Sequence, residues 1–337
     1  MSFAVVTLGF DPTLYAGPFA VRWETLGLAA AVFVALLLAA VMARADRRFG
    51  VPAGRPVLRL DDLLYLAVAA VPGAVIGGRL VLLLDFLGYY QARPGAILDP
   101  GQGSLSLLGA VLGGTLTVAA MCLLLGVPVR RWLDAGAVPL LVAVGLGKLA
   151  YLLGGGGQGA AWNGPWALAF SGPGPWLSAL ASVPAHPSQV YEAAWALSGA
   201  LVLGLAVAFR RQPAAAGPVP VRPGLRYAVA LEWWLLGRVL IGFTWATPPV
   251  VAGLRTEQLA ALAVLCVVGV AAAWGLGPST ARDAEAGGVE PGDARSHGDG
   301  PDPGERGTGG RDAFSPDRDG DRLASPDKPP TAPRRPA

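Results

Sequence analysis

The chain has 337 residues, 53% apolar and only 15% charged, with a formal net charge of +3. Residues 277–337 carry 12 acidic and 9 basic side chains, which leaves 17 of the 26 basic and 11 of the 23 acidic residues to positions 1–276. That balance excludes a pair of soluble domains and points to a basic, membrane-embedded body with a charged tail. No basic stripe interleaved with aromatics suggests a nucleic-acid partner.

Apolar stretches predict membrane helices at 19–43, 61–87, 105–126, 134–153, 187–208, 226–245 and 256–276. Each meets the roughly 20 residues that a bilayer core demands. The expected fold class is therefore all-α, a polytopic membrane protein of about seven transmembrane helices. The first 18 residues hold no Lys or Arg, so the basic start of a cleavable signal peptide is missing. Arg44, Arg47, Arg48, Arg55 and Arg59 follow the first helix, Arg130 and Arg131 the third, and Arg210, Arg211 and Arg222 the fifth. The other side has Arg93, Arg255 and nothing basic across 154–185. Positive-inside bias then puts the N-terminus outside and the C-terminus in the cytoplasm. Gly73 with Gly77, and Gly109 with Gly113, sit four apart and allow close helix packing. Cys122 and Cys266 fall inside apolar runs and read as buried small hydrophobes, with no disulfide or metal pair. The outer loop 154–185, with Trp162, Trp166 and Trp176, is expected to lie on the outer leaflet. Residues 277–337 are rich in Gly, Pro, Asp and Arg and cannot bury enough surface to offset ordering. They are expected to form a disordered cytoplasmic tail behind a membrane domain at 1–276, with His297 solvated.

Ionisable groups inside a span each cost roughly 2.5–3.5 kcal/mol at the bilayer centre on insertion scales, so each asks for a reason. They are Glu24, Arg79, Lys148, Glu192, Glu232 and Arg238, with His186 at a helix entrance. Glu24 is expected about two turns below the outer end of the first helix, and Glu192 about 9 Å below His186. Arg79 and Lys148 come late in outgoing helices, while Arg238 is expected near the middle of the sixth. Singly, the cations could snorkel to headgroups, His186 before Pro187 could cap a helix, and the carboxylates could merely neutralise arginine. Jointly they suggest a polar site open to the outer leaflet and suited to a phosphate-bearing lipid.

Several motifs resemble those of one known bacterial family. FDPTLYAGPFAVRW (10–23) is similar to the family's entry into its first helix, and GGRLVLLLDF (77–86) to its GARLGYVLF-like segment. GSLSLLGAVLGG (103–114) lies where the family reads GGxSxHGGxxGG, and GLGKLAYLLGGGGQG (145–159) parallels GxGRxGNFxNxExxG. HPSQVYE (186–192) matches the HPxQLYE motif apart from Val190, and RPG (222–224), LLGRVLIGF (235–243) and GLRTEQL (253–259) match the last two helices. By these motifs the chain resembles the bacterial prolipoprotein diacylglyceryl transferases, and the resemblance implies transfer of a diacylglyceryl group from phosphatidylglycerol to the lipobox cysteine of a prolipoprotein, at the outer face of the plasma membrane. The implied partners are phosphatidylglycerol and the prolipoprotein signal peptide, with no cofactor and no metal. His186, Arg238 and Glu192 fall on expected catalytic positions, and Lys148, Arg79, Glu24 and Gln189 on substrate-binding ones.

The departures fall on polar motif positions. Leu108 replaces the signature histidine, Lys148 an arginine, and Tyr151 and Gly156 an asparagine and a glutamate. Glu24 replaces the tyrosine of an RWYG motif, and Arg238, Gly242 and Trp245 stand where the family has Arg, Glu and Arg. Three readings follow. One is a divergent transferase, with His186 as base, Lys148 and Arg238 clamping phosphate, and Glu192 and Glu24 orienting them. The second is a family member without catalysis that binds phosphatidylglycerol or signal peptides. The third, transport, ranks last because no internal repeat is found.

Overall fold

A computed structural model describes residues 5–48, 58–97, 105–209 and 222–276. The expected tail at 277–337 with His297, and the positions of Arg55, Arg210 and Arg211, lie outside the described residues.

Among the described residues, seven helices are long and apolar enough to cross a membrane. They are α1 (Trp23–Arg48), α2 (Leu60–Asp85), α4 (Leu107–Leu124), α5 (Val129–Leu153), α6 (Ser188–Phe209), α7 (Leu225–Ile241) and α8 (Thr256–Leu276). The short α3 (Leu87–Ala92) follows α2. Large apolar side chains point away from the bundle on several of them, among them Phe33, Val68, Leu124 and Val267. Such a surface is costly in water and natural in lipid. Together with the seven spans, it makes the chain a multi-pass membrane protein. Cys122 is buried as expected, but Cys266 faces outward from α8, on the side a bilayer would cover.

The helix pairs meet through small residues. On α2 and α4 the backbones touch: a Cβ on Gly77 would lie 2.3 Å from the Gly109 carbonyl oxygen, and one on Gly113 2.2 Å from that of Gly73. Only glycine permits that approach. Ser106 starts α4 by accepting the Gly109 N–H at 3.4 Å, and its own N–H donates to Gly78 at 3.1 Å. Between α6 and α7, Trp195 and Trp233 stack at 4.9 Å, and each indole N–H donates to the other's carbonyl, at 2.7 and 2.9 Å. Gly199 and Gly237 leave the room these rings need. At the start of α7, Asp134 of α5 accepts the N–H groups of Gly224 and Tyr227. α7 is thus held at its start and at its middle. The central core gathers Leu108, Leu141, Val144, Leu231, Trp234 and Leu235.

One end of the bundle carries strands that hydropathy did not reveal. β1 (Val6–Gly9) pairs in parallel with β4 (Leu168–Ser171), and β2 (Thr13–Ala16) forms a hairpin with β3 (Phe19–Arg22). The apolar run at 19–22 is therefore a strand, and α1 begins at Trp23 rather than at 19. The 154–185 segment folds around its own small core of Leu168, Phe170 and Ala181. Two of its tryptophans are spent on packing: Trp176 meets Phe10 edge-on at 5.1 Å, and Trp162 stacks on His186. Trp166 alone of the three is well exposed, at 59%.

Candidate active site between the ends of four helices

At the strand-bearing end, four helices bring charge to one point. Glu192, one turn into α6, holds Lys148 of α5 at 3.0 Å and Arg238 of α7 at 3.2 Å, both on Oε2. Its Oε1 accepts the indole N–H of Trp245 at 3.0 Å. Arg238 also donates through Nη2 to Glu257, in the first turn of α8. The guanidinium lies over the rings of Trp245, at 4.7 Å, and Trp234, at 5.6 Å.

The depth expected for Arg238 is corrected. α7 ends at Ile241 and passes through a 3₁₀ turn, Gly242–Thr244, so Arg238 stands in the last helical turn rather than mid-helix. It sits level with Glu192, not beneath it. The side chains of Arg238 and Glu192 are only 3% and 7% exposed. Buried ions persist where they are paired and hydrogen-bonded, and two cations meet two carboxylates here.

The turn after α7 is braced by Arg255. Its Nε donates to the Thr247 carbonyl at 2.6 Å and its Nη2 to that of Trp245 at 2.7 Å, which fixes the indole over Arg238. Ser188 and Thr244 share a hydroxyl hydrogen bond at 2.7 Å, tying the start of α6 to the end of α7. Beneath Gly242, Gln258 occupies the volume a side chain would need: a Cβ there would lie 2.5 Å from Gln258 Cγ. Gln258 is itself fully buried, accepting the Arg255 N–H at 3.0 Å and donating to the Val239 carbonyl at 2.8 Å.

Gln189 lies one helical turn before Glu192. It is fully buried, and neither its amide nitrogen nor its amide oxygen has a partner. Its neighbour Gly157 has φ +76°, a left-handed conformation that glycine adopts without strain, and a Cβ there would come within 2.9 Å of Gln189. Arg238 Nε is a second buried donor without a partner. Both are polar groups that the surrounding protein leaves without a partner.

His186 belongs to an adjoining aromatic group. Its imidazole stacks on Trp162 at 4.3 Å with the planes 9° apart, and Tyr191 meets it edge-on at 6.4 Å. Trp166, in left-handed backbone at φ 59°, donates its indole N–H to the Tyr191 hydroxyl at 2.8 Å. Partial burial lowers the His186 pKa from its ordinary value, which keeps the imidazole neutral near pH 7 and able to accept a proton.

The remaining expected residues stand apart. Glu24 lies in the first turn of α1, higher than expected because that helix starts at Trp23. It pairs with Arg22 at 3.6 Å and packs on Gly154, whose carbonyl also receives an Arg22 N–H at 3.4 Å. These contacts join α1 to the end of α5. Arg79 is half-buried on α2, beside the glycine crossing with α4. Glu232 lies deeper, against Gly269 of α8. Leu108 is 1% exposed within the apolar core, so the position of the signature histidine has become packing.

Trp245 and Glu257 join the site unforeseen. Glu257 lies inside the GLRTEQL block (253–259), with no expected role of its own. The signal that could have found it is its position two residues after Arg255, at the same membrane level as the outer charges.

Comparison with known proteins identifies the family of the chain. A family model described as prolipoprotein diacylglyceryl transferase matches residues 12–274. A phosphatidylglycerol–prolipoprotein diacylglyceryl transferase of Nitrobacter winogradskyi is 29% identical over 82% of this chain and 92% of its own length. Like-named proteins of Rhodopseudomonas palustris and an Azoarcus species are 30% and 35% identical, over 72% and 60% of this chain and 84% and 72% of their own lengths. With the matched span running through every membrane helix and through the Lys148–Glu192–Arg238 cluster, this chain belongs to the prolipoprotein diacylglyceryl transferase family.

Proposed function

We propose that the chain transfers the diacylglyceryl group of phosphatidylglycerol to the lipobox cysteine thiol of a prolipoprotein, at the outer face of the plasma membrane. The observation that carries this reading is the buried Glu192 carboxylate holding Lys148 and Arg238 together at one end of the bundle. Fixed cations in a site of low dielectric are what a departing phosphate needs. Orientation follows from charge. Arg44, Arg59, Arg130, Arg131 and Arg222 belong to the other end of the bundle, which positive-inside bias assigns to the cytoplasm. The strand-bearing end and the N-terminus then face outward, and the C-terminus is cytoplasmic.

In the proposed reaction the cysteine thiol gives its proton to the neutral His186, and the thiolate sulfur attacks the glyceryl carbon that carries the phosphate. A carbon–sulfur bond forms as the carbon–oxygen bond to phosphate breaks. Glycerol phosphate leaves with the bonding pair, its charge met by Arg238 and Lys148. Glu192 is a positioning residue: it keeps both cations at the place where charge develops. Gln189, buried with open donor and acceptor groups, suits the polar part of a headgroup or of the signal peptide. Arg79, on the outer half of α2, suits a role at the headgroup level, whereas Glu24 serves by ordering Arg22 and the end of α5.

The test is expression in a bacterium whose own diacylglyceryl transferase can be switched off, with mass spectrometry of a reporter lipoprotein. The expected result is a lipobox cysteine heavier by one diacylglyceryl group. An unmodified reporter, with the protein present in the membrane, would sink the proposal and favour a family member that only binds lipid or signal peptide.

A further inference from the structure

We infer that Glu257 occupies on Arg238 the place that the phosphodiester of the lipid substrate takes, and must leave it for the lipid to bind; this rests on the function proposed above. Arg238 presents two edges. Through Nη1 it is committed to Glu192, deep in the bundle. Its side fork, made of Nε–H and Nη2–H, is engaged on one tine only: Nη2 donates to Glu257 Oε2, while Nε is buried without a partner. A carboxylate can bridge both tines of a guanidinium, and so can two oxygens of a phosphate. Glu257 satisfies one.

Exposure separates the two carboxylates. Glu192 is 7% exposed and shared among three donors, whereas the Glu257 side chain is 32% exposed and holds Arg238 alone among the described contacts. Glu257 lies in the first turn of α8, with three residues between it and the exposed segment 246–253, so a side-chain rotation frees the Nη2 tine with no helix displaced. An anion arriving at this edge then replaces one carboxylate oxygen with two phosphate oxygens and satisfies Nε as well. The net effect is selection: an uncharged lipid cannot displace Glu257, because it leaves Arg238 and Lys148 with the single carboxylate of Glu192 between them.

The test measures binding of short-chain phosphatidylglycerol to the full-length detergent-solubilised protein, beside diacylglycerol and glycerol phosphate. Glu257→Gln should bind phosphatidylglycerol roughly tenfold tighter than wild type, the scale expected when one competing charged hydrogen bond is lost, with diacylglycerol unchanged. If Glu257→Gln does not fold, Glu257→Asp, whose shorter arm no longer reaches Nη2, should tighten binding instead. Equal or weaker binding in the folded variant would overturn the role of Glu257 while leaving the phosphate reading in place. Tightening confined to glycerol phosphate would overturn the assignment to the lipid. If wild type prefers phosphatidylglycerol no more than diacylglycerol, the proposed site itself fails, and this inference with it.

Discussion

Glu192 Oε2 and Arg238 Nη1 meet at 3.2 Å between the start of α6 and the end of α7, and the same oxygen accepts Lys148 at 3.0 Å. One carboxylate thus fixes two cations on two different helices. Removing it leaves the buried Arg238 and the partly buried Lys148 short of a partner, a change that costs about 3–5 kcal/mol where a buried ion is stranded. Glu192→Gln is expected to lower the melting temperature of the purified protein sharply and to abolish transfer. Replacing the partners together, as Glu192→Leu with Arg238→Met, should cost less stability than the sum of the single changes. Additive losses in that cycle would show that the pair is not coupled.

The family's glutamate at position 242 cannot simply be put back. A Cβ there already lies 2.5 Å from Gln258 Cγ, and Gln258 is held in place by Arg255 and Val239. Gly242→Ala is expected to cost about 1–3 kcal/mol by overpacking, and Gly242→Glu more. Combining Gly242→Glu with Gln258→Ala should recover part of the loss, read as thermal stability in detergent. Full stability of Gly242→Glu alone would contradict the packing described.

These two positions also show where the sequence stopped being informative. Seven apolar runs specify seven spans, because the cost of unpaired backbone in lipid leaves the helix as the one local solution. The HPSQVYE block led straight to Gln189 and Glu192. Gly242, by contrast, marks only a glutamate missing from the family pattern, and nothing in it showed that Arg238 keeps a second carboxylate through Glu257, 19 residues onward on another helix. Contacts between helix ends depend on where each helix stops, and hydropathy does not resolve a 3₁₀ turn such as Gly242–Thr244. The same limit hid β3: a short apolar run ahead of Trp23 is indistinguishable from the helix it precedes.

The glycine spacing did carry structural weight, and it can be tested against an internal control. Gly113→Ala brings a methyl group to 2.2 Å from the Gly73 carbonyl oxygen, so α2 and α4 must part. We expect a loss of about 1–3 kcal/mol. Gly136, inside α5, has nothing within 4 Å of an added Cβ. There alanine should be neutral or stabilise by up to about 1 kcal/mol through helix propensity. Equal melting temperatures for the two variants would mean that the α2–α4 crossing is not close-packed.

His186 gives the last prediction, because its environment fixes a sign. Partial burial lowers its folded pKa below the ordinary 6.5, so the unfolded chain binds more protons between those two values. Its contribution to stability is full above about pH 6.5 and is lost as pH falls through the folded pKa. The same titration governs its use as a base: only the neutral ring stacked on Trp162 accepts the thiol proton. Transfer by wild type should therefore hold down to about pH 6.5 and fall on the acid side of it. His186→Gln should lower turnover by about 10²- to 10⁴-fold, the usual worth of a general base, and should lose that acid limb while lipid binding persists. A rate profile in His186→Gln that matches wild type in height and shape would remove the imidazole from the chemistry and leave it as packing for Trp162.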